Sequence, residues 1–202
     1  MSAGNSVPLT GGAVSYATGF GIDTSSGVIS VRTVDAGTTG VSGELSFVSG
    51  TTSSGSSGSI TVGSGKSVAG KGGTIALSIG AGSTRTGGDV LISSGEISMN
   101  TGGSVSYMSG YGSSLSSGSI VVGSMNAGTA GVSGNFQFMT GTSSSGASGL
   151  ISITTGKSTG GKGGDILVSV GNTVTTDGGY IDMSAGNSVP LTGGAVSYAT
   201  GF

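Results

Sequence analysis

The sequence contains no cysteine, no histidine and no tryptophan. Without cysteine the chain has no disulfide framework, and without thiolate or imidazole side chains it lacks the usual ligands of zinc. The same absences exclude catalysis by a cysteine nucleophile or a histidine base. The function therefore lies outside disulfide-stabilised domains, zinc proteins and the hydrolases that use these side chains.

Charged residues and long apolar runs are also scarce. Six lysines and arginines stand against eight aspartates and glutamates, which gives a formal net charge of −2. Nucleic-acid binding through phosphate neutralisation needs a stronger basic balance, so we expect no nucleic-acid partner. No apolar stretch approaches the roughly 20 residues of a membrane-spanning helix, so we expect no membrane insertion.

The few carboxylates do not form a catalytic or metal-binding pattern. General acid–base catalysis needs two carboxylates near one substrate bond, and no such pairing emerges from their spacing. The segments GGDVLISSG and GGDILVSVG place Asp89 and Asp165 outside the register of the Gly-rich calcium-binding nonapeptide. We therefore expect no enzyme activity, no catalytic residues, no cofactor and no bound metal.

Glycine, serine and threonine together make up more than half of the chain, and glycine is the commonest of the three. Such a composition indicates disorder unless it is periodic, and this one is periodic. Residues 1–20 recur unchanged as residues 183–202, an offset of 182, so we expect Met1 to be a cut within a tandem array. Within that repeat, GGAVSYATG at Gly11 matches GGSVSYMSG at Gly102 and GGAVSYATG at Gly193, which gives a period of 91.

The finest period is fifteen residues, with one step longer by a single residue in each half. A motif G/S-G-x-h-x-h, where h is apolar, begins thirteen times between Gly11 and Gly193. We call each copy a repeat unit and number its positions from the first residue of the motif. The second position is always glycine, and the fourth and sixth are always apolar. The fourth column contains Val14, Ile29, Leu45, Ile60, Ile75, Val90, Val105, Ile120, Phe136, Ile151, Ile166 and Ile181, and the sixth contains Tyr16, Val31, Phe47, Val62, Leu77, Ile92, Tyr107, Val122, Phe138, Ile153, Val168 and Met183, with Val196 and Tyr198 in the last unit.

Apolar residues at every second position are typical of a short strand with one buried face. Fifteen residues are too few for a strand–helix–strand crossover but suit one turn of a solenoid. We therefore predict an all-β fold, a parallel β-solenoid (β-helix) of about thirteen 15–16-residue coils, with the two columns as its core ladder. The alternative is a disordered Ser/Gly linker, which does not require apolar pairs in register.

The nested periods also predict the organisation of the chain. Residues 1–202 form one continuous solenoid segment in this interpretation. Six coils occupy 11–101 and six occupy 102–192, while 193–202 begins the next repeat and is identical to 11–20. We expect such a segment to continue end to end with further copies of itself and its solenoids to pack side by side, so the predicted partner is the same protein.

Four lysines form two matching pairs, Lys66 with Lys71 in GKSVAGK and Lys157 with Lys162 in GKSTGGK. One interpretation is a periodic cationic surface that binds acidic glycan or mineral. The other is a set of solvated corner lysines, which discourage pairing at exposed strand edges. The sequence leaves both interpretations open.

The stretch NAGTAGVSGNFQFMTGTSSSGASGLISITTGKSTGGKGGDILVSVG resembles very long Gly/Ser/Thr-rich tandem-repeat proteins of diatoms and related marine microalgae, most specifically at TSSSGxSGxIxIxTG and GGKGGDI. The resemblance covers the whole chain and implies a secreted or surface-borne fibrous protein without catalytic residues. We expect a structural rod repeat of a long extracellular or cell-surface fibre, extended by stacked β-coils. The alternative is an adhesin-type stalk that binds glycan or mineral through its lysine and Ser/Thr faces.

Overall fold

The structure, a computed structural model, describes residues 2–5, 10–83, 86–189 and 191–201. Over these ranges the backbone forms neither a helix nor a strand, and its course is irregular. The prediction of an all-β parallel β-solenoid is therefore wrong, because its coils must be joined by parallel sheets. Met1, which we expected to be a cut within an array, lies outside the described residues.

The period of the sequence determines where the chain bends. The chain divides into two parts, Met1–Gly103 and Ser104–Phe202. In the first part it bends at 22–24, 38–40, 53–55, 68–70, 83 and 98–100, and in the second at 113–115, 129–131, 144–146, 159–161, 174–176, 189 and 191. The spacing of these bends matches the spacing of the motif. The two steps that are one residue longer in the sequence correspond to the bends that begin at 22 and 38 and to those that begin at 113 and 129. The repeat unit is thus a real structural unit, although no strand forms between its described bends.

The local chemistry of the bends also repeats at an offset of 91. The N–H of Gly70 donates to the Ser67 hydroxyl at 3.0 Å, and the N–H of Gly161 donates to the Ser158 hydroxyl at 3.1 Å. Such serine-closed turns satisfy a backbone donor without secondary structure. Gly55 and Gly146 occupy another matching pair of bends with φ of 107° and 111°, in the left-handed region where a side chain is strained.

The invariant glycine at the second position lies against the eighth residue of the preceding unit. A Cβ atom placed on this glycine lies 2.9 to 3.7 Å from a side-chain atom of that residue in all thirteen units. The approach is closest between Gly88 and Ile79 and between Gly179 and Val170, both at 2.9 Å. The complete set of eighth-position residues is Ala3, Thr18, Thr33, Ser49, Ser64, Ile79, Ser94, Ser109, Ser124, Thr140, Thr155, Val170 and Ala185.

Four backbone hydrogen bonds join consecutive units within the described residues. Each runs from the N–H of a second-position glycine to the C=O of the ninth-position glycine before it, at 2.8 to 3.0 Å: Gly12 to Gly4, Gly103 to Gly95, Gly118 to Gly110 and Gly194 to Gly186. The eighth residue in these four cases is alanine or serine. No unit with threonine, isoleucine or valine at that position forms the bond in the described ranges, and the units whose eighth residue is Ser49, Ser64 or Ser124 lack it as well.

The composition explains why these contacts do not extend into a ladder. Each unit contributes only two bulky apolar columns, so the apolar surface available for burial is small. Ordering the intervening glycine, serine and threonine backbone costs about 1–2 kcal/mol per residue, and glycine loses the most conformational freedom. Alternation specifies which side chains share a face, but it does not supply enough burial to fix strands against one another.

Candidate association surface

The fourth and sixth columns are among the more sheltered bulky apolar side chains of the repeat, and none of them is buried in the described ranges. Exposed fractions run from 46 to 58% in the fourth column and from 57 to 77% in the sixth. Apolar residues at the bends are far more exposed, for example Val68 at 93% and Val174 at 99%. In each part of the chain the two columns therefore form a partly exposed apolar surface, which we call the apolar face.

Two side-chain contacts show how the columns are arranged locally. The rings of Phe136 and Phe138, the fourth and sixth residues of one unit, pack edge to face with centroids 4.5 Å apart and planes at 84°. The hydroxyl of Tyr198 donates to the Met183 sulfur at 3.6 Å, which links the sixth positions of consecutive units. Column residues are thus in contact within one unit at Phe136 and Phe138, and between consecutive units at Met183 and Tyr198.

The apolar face opens into a cleft at the same place in each 91-residue repeat. In the first part of the chain an open cleft of about 500 Å³ is lined by Tyr16, Ile29, Ser30, Val31 and Phe47. In the second part a cleft of about 640 Å³ is lined by the equivalent residues Tyr107, Ile120, Val121 and Val122. No lining residue is charged, so each cleft offers apolar contact and no ionic recognition.

The four lysines flank the serine-closed bends. Lys66 and Lys71 lie on either side of the bend at 68–70, and Lys157 and Lys162 on either side of the bend at 159–161. Lys162 forms an ion pair with Asp165 at 2.8 Å, but both side chains are more than three-quarters exposed. Solvent screening leaves such a pair little effect on stability. Position 74, the equivalent of Asp165 in the first half, is a threonine, so the two lysine pairs are not equivalent in charge.

The described carboxylates do not gather into a metal-binding cluster. No group of three or more histidine, cysteine, aspartate or glutamate side chains that could hold a metal ion occurs in the described ranges. Over the same residues, no helix has the length and apolar character needed to cross a membrane.

Sequence reasoning missed two features of this surface. The approach of the eighth residue to the second-position glycine was not anticipated, although an invariant glycine at one position of thirteen units is the signal of such an approach. The clefts were missed because they depend on how far apart consecutive units lie. The sequence feature that could have indicated the clefts is the triplet Tyr16, Val31 and Phe47 in the sixth column. This triplet recurs as Tyr107, Val122 and Phe138.

Comparisons with known protein families, with characterised proteins and with solved structures found no match.

Proposed function

We propose that this chain is a non-catalytic structural repeat of a long fibrous protein located outside the cell or on its surface. In this proposal the repeat unit is a bent, irregular segment rather than a coil of stacked β-strands. The repeats act by presenting the same apolar side chains and the same polar bends at regular intervals. The division into 11–101, 102–192 and the beginning of a further repeat at 193–202 stays a prediction.

The observation that carries the proposal is the recurrence of one local arrangement in all thirteen units. The approach of the second-position glycine to the eighth residue is found in every unit, in both parts of the chain. An enzyme or a receptor needs one catalytic or binding site, whereas a fibre needs many structurally equivalent units. The resemblance to long Gly/Ser/Thr-rich tandem-repeat proteins of microalgae supports the same choice.

The proposal is tested on the native material with antibodies raised against the full 202-residue chain. We expect immunogold labelling on fibres outside the cell or at its surface, with gold particles spaced regularly along them. We also expect the denatured native polypeptide to have a mass many times 18.8 kDa. Labelling confined to the cell interior, on a polypeptide of 18.8 kDa, would falsify the proposal.

A second candidate function is favoured by the placement of the lysines. Lys66, Lys71, Lys157 and Lys162 flank two matching bends, so an adhesin-type stalk could hold acidic glycan or mineral at those bends. Changing all four lysines to glutamine removes the positive charge and leaves the apolar face intact. The adhesin function predicts at least a tenfold loss of retention on sulfated glycan or silica beads, and retention that falls with added salt.

The matched control changes Asp23, Asp35, Glu44 and Asp89 to their amides, which alters four charges of opposite sign away from these bends. The adhesin function predicts that this control is retained at least as well as the unchanged protein. Equal retention of the lysine variant and the unchanged protein would leave the structural fibre as the better function.

A further inference from the structure

The two clefts of the apolar face leave large apolar side chains open to solvent. Val31 and Phe47 in the first cleft are 61% and 68% exposed, and Tyr107 and Val122 in the second are both 66% exposed. Aromatic and branched side chains of this size stabilise an association strongly when water is removed from them. Each cleft therefore favours an occupant that is itself apolar.

The total exposed surface is large enough for an interface with another protein chain. The chain exposes 20176 Å², whereas a folded monomer of 18.8 kDa exposes about 8,300 Å² by the usual scaling with mass. A standard protein interface buries about 1,600 Å² in total. The surplus surface is several times what one stable interface requires, so the chain can form more than one contact without losing its local bends.

A second copy of the chain matches these clefts in both chemistry and charge. It presents the same Tyr–Val–Phe triplet in the same column, and Phe136 and Phe138 of the apolar face pack edge to face, the geometry that aromatic rings favour. The cleft residues carry no charge, and the net charge is only −2. Repulsion between copies is therefore weak.

We infer that the Tyr16–Val31–Phe47 cleft and its counterpart at Tyr107–Val122 are docking sites for the apolar face of a second copy of this chain. Because each copy has two such clefts, association continues beyond a dimer and generates an open-ended assembly. This inference deepens the proposed function, on which it rests for the identity of the partner.

The test measures the mass of the full chain in solution by light scattering over a range of concentrations. The variant Tyr16→Ser, Phe47→Ser, Tyr107→Ser removes one phenylalanine and two tyrosines from the clefts. The matched control Phe20→Ser, Tyr111→Ser, Tyr180→Ser removes the same residue types from positions that are 86 to 90% exposed. We expect the cleft variant to need at least about tenfold higher concentration to associate, while the control associates like the unchanged chain.

Cross-linking provides a second measurement that does not depend on the aromatic variant keeping its local structure. The chain has no cysteine, so Val31→Cys, Val122→Cys and Val68→Cys each introduce a single thiol. Val68 lies at a bend and is 93% exposed. We expect oxidation to join the Val31→Cys and Val122→Cys chains into covalent dimers several-fold faster than the Val68→Cys chains.

The inference is overturned if the unchanged chain stays monomeric at all concentrations, if the cleft variant and the control associate equally, or if the Val68→Cys chains cross-link as fast as the others. It is equally overturned if the monomer binds an apolar dye in the clefts without associating, since the clefts then serve a small molecule. These outcomes leave the location of the native protein untouched, so a failed docking site and a failed fibre function are distinguishable.

Discussion

At the scale of single residues, the invariant glycine of the repeat has a steric cause where the preceding unit approaches it most closely. Its φ is not the reason, because positive φ occurs in the described residues at Gly40, Gly55 and Gly146, none of which is a second-position glycine. The side chain of the preceding unit leaves no room for a Cβ atom at Gly88 and Gly179, where it lies 2.9 Å away, whereas at Gly58 the distance of 3.7 Å is an ordinary contact. The glycine at the ninth position is different: Gly80 and Gly171 have nothing within 4 Å of an added Cβ.

Changing Gly88 to alanine tests this explanation. The new Cβ atom lies 2.9 Å from Ile79 Cγ2, so the two units must separate. We expect a destabilisation of the local contact by about 1–3 kcal/mol, the usual cost of overpacking. The measurement is the intensity of the nuclear Overhauser cross-peak between residue 88 and the Ile79 methyl groups, which should fall at least about fivefold.

Two variants serve as controls for this change. Gly80→Ala adds the same methyl group in open space and should leave the cross-peak between Gly88 and Ile79 unchanged. Ile79→Ala combined with Gly88→Ala removes the opposing methyl group, and it should bring residues 79 and 88 back into contact. If Gly88→Ala and Gly80→Ala behave alike, steric exclusion does not explain the glycine column.

At the scale of the structural element, the sequence predicted the period of the bends but not the conformation between them. The spacing of the motif, including its longer step, coincides with the bends from 22–24 to 174–176. The strands were predicted from the alternation of the fourth and sixth positions. Alternation reports which side chains lie on one face, whereas a strand also needs backbone partners on a neighbouring segment.

The hydrogen bonds show where the strand prediction failed. The bonds between units run from Gly12 to Gly4 and at three equivalent places, and all connect a second-position glycine to a ninth-position glycine. None involves the backbone of the apolar columns in the described residues. The bond is missing where the eighth residue is β-branched and also where it is Ser49, Ser64 or Ser124, and the repeat motif carries no information about that position.

The candidate surface was predictable only in part. The columns that contain Ile29, Val31 and Phe47 follow from the sequence alone. The clefts that they line do not, because a cleft depends on the separation of units that no local pattern fixes. The lysine pairs were identified from their matching motifs, and the structure adds that each pair flanks a serine-closed bend.

At the scale of the whole molecule, the exposed area distinguishes this chain from an ordinary domain. A fully unfolded chain of 18.8 kDa exposes about 27,000 Å², and a compact one about 8,300 Å². The observed 20176 Å² is closer to the first value. The chain is therefore organised by local contacts that repeat, and the large remaining surface is available for association with further copies.

The most direct test of this account is a nuclear Overhauser experiment on the full chain, combined with amide hydrogen exchange. The account predicts cross-peaks between each second-position glycine and the eighth residue before it, clearest for Gly88 with Ile79 and Gly179 with Val170. It also predicts fast exchange of the amides in the apolar columns. Protected amides, together with backbone cross-peaks between equivalent residues of consecutive units such as Ile60 and Ile75, would show a parallel sheet and contradict the account.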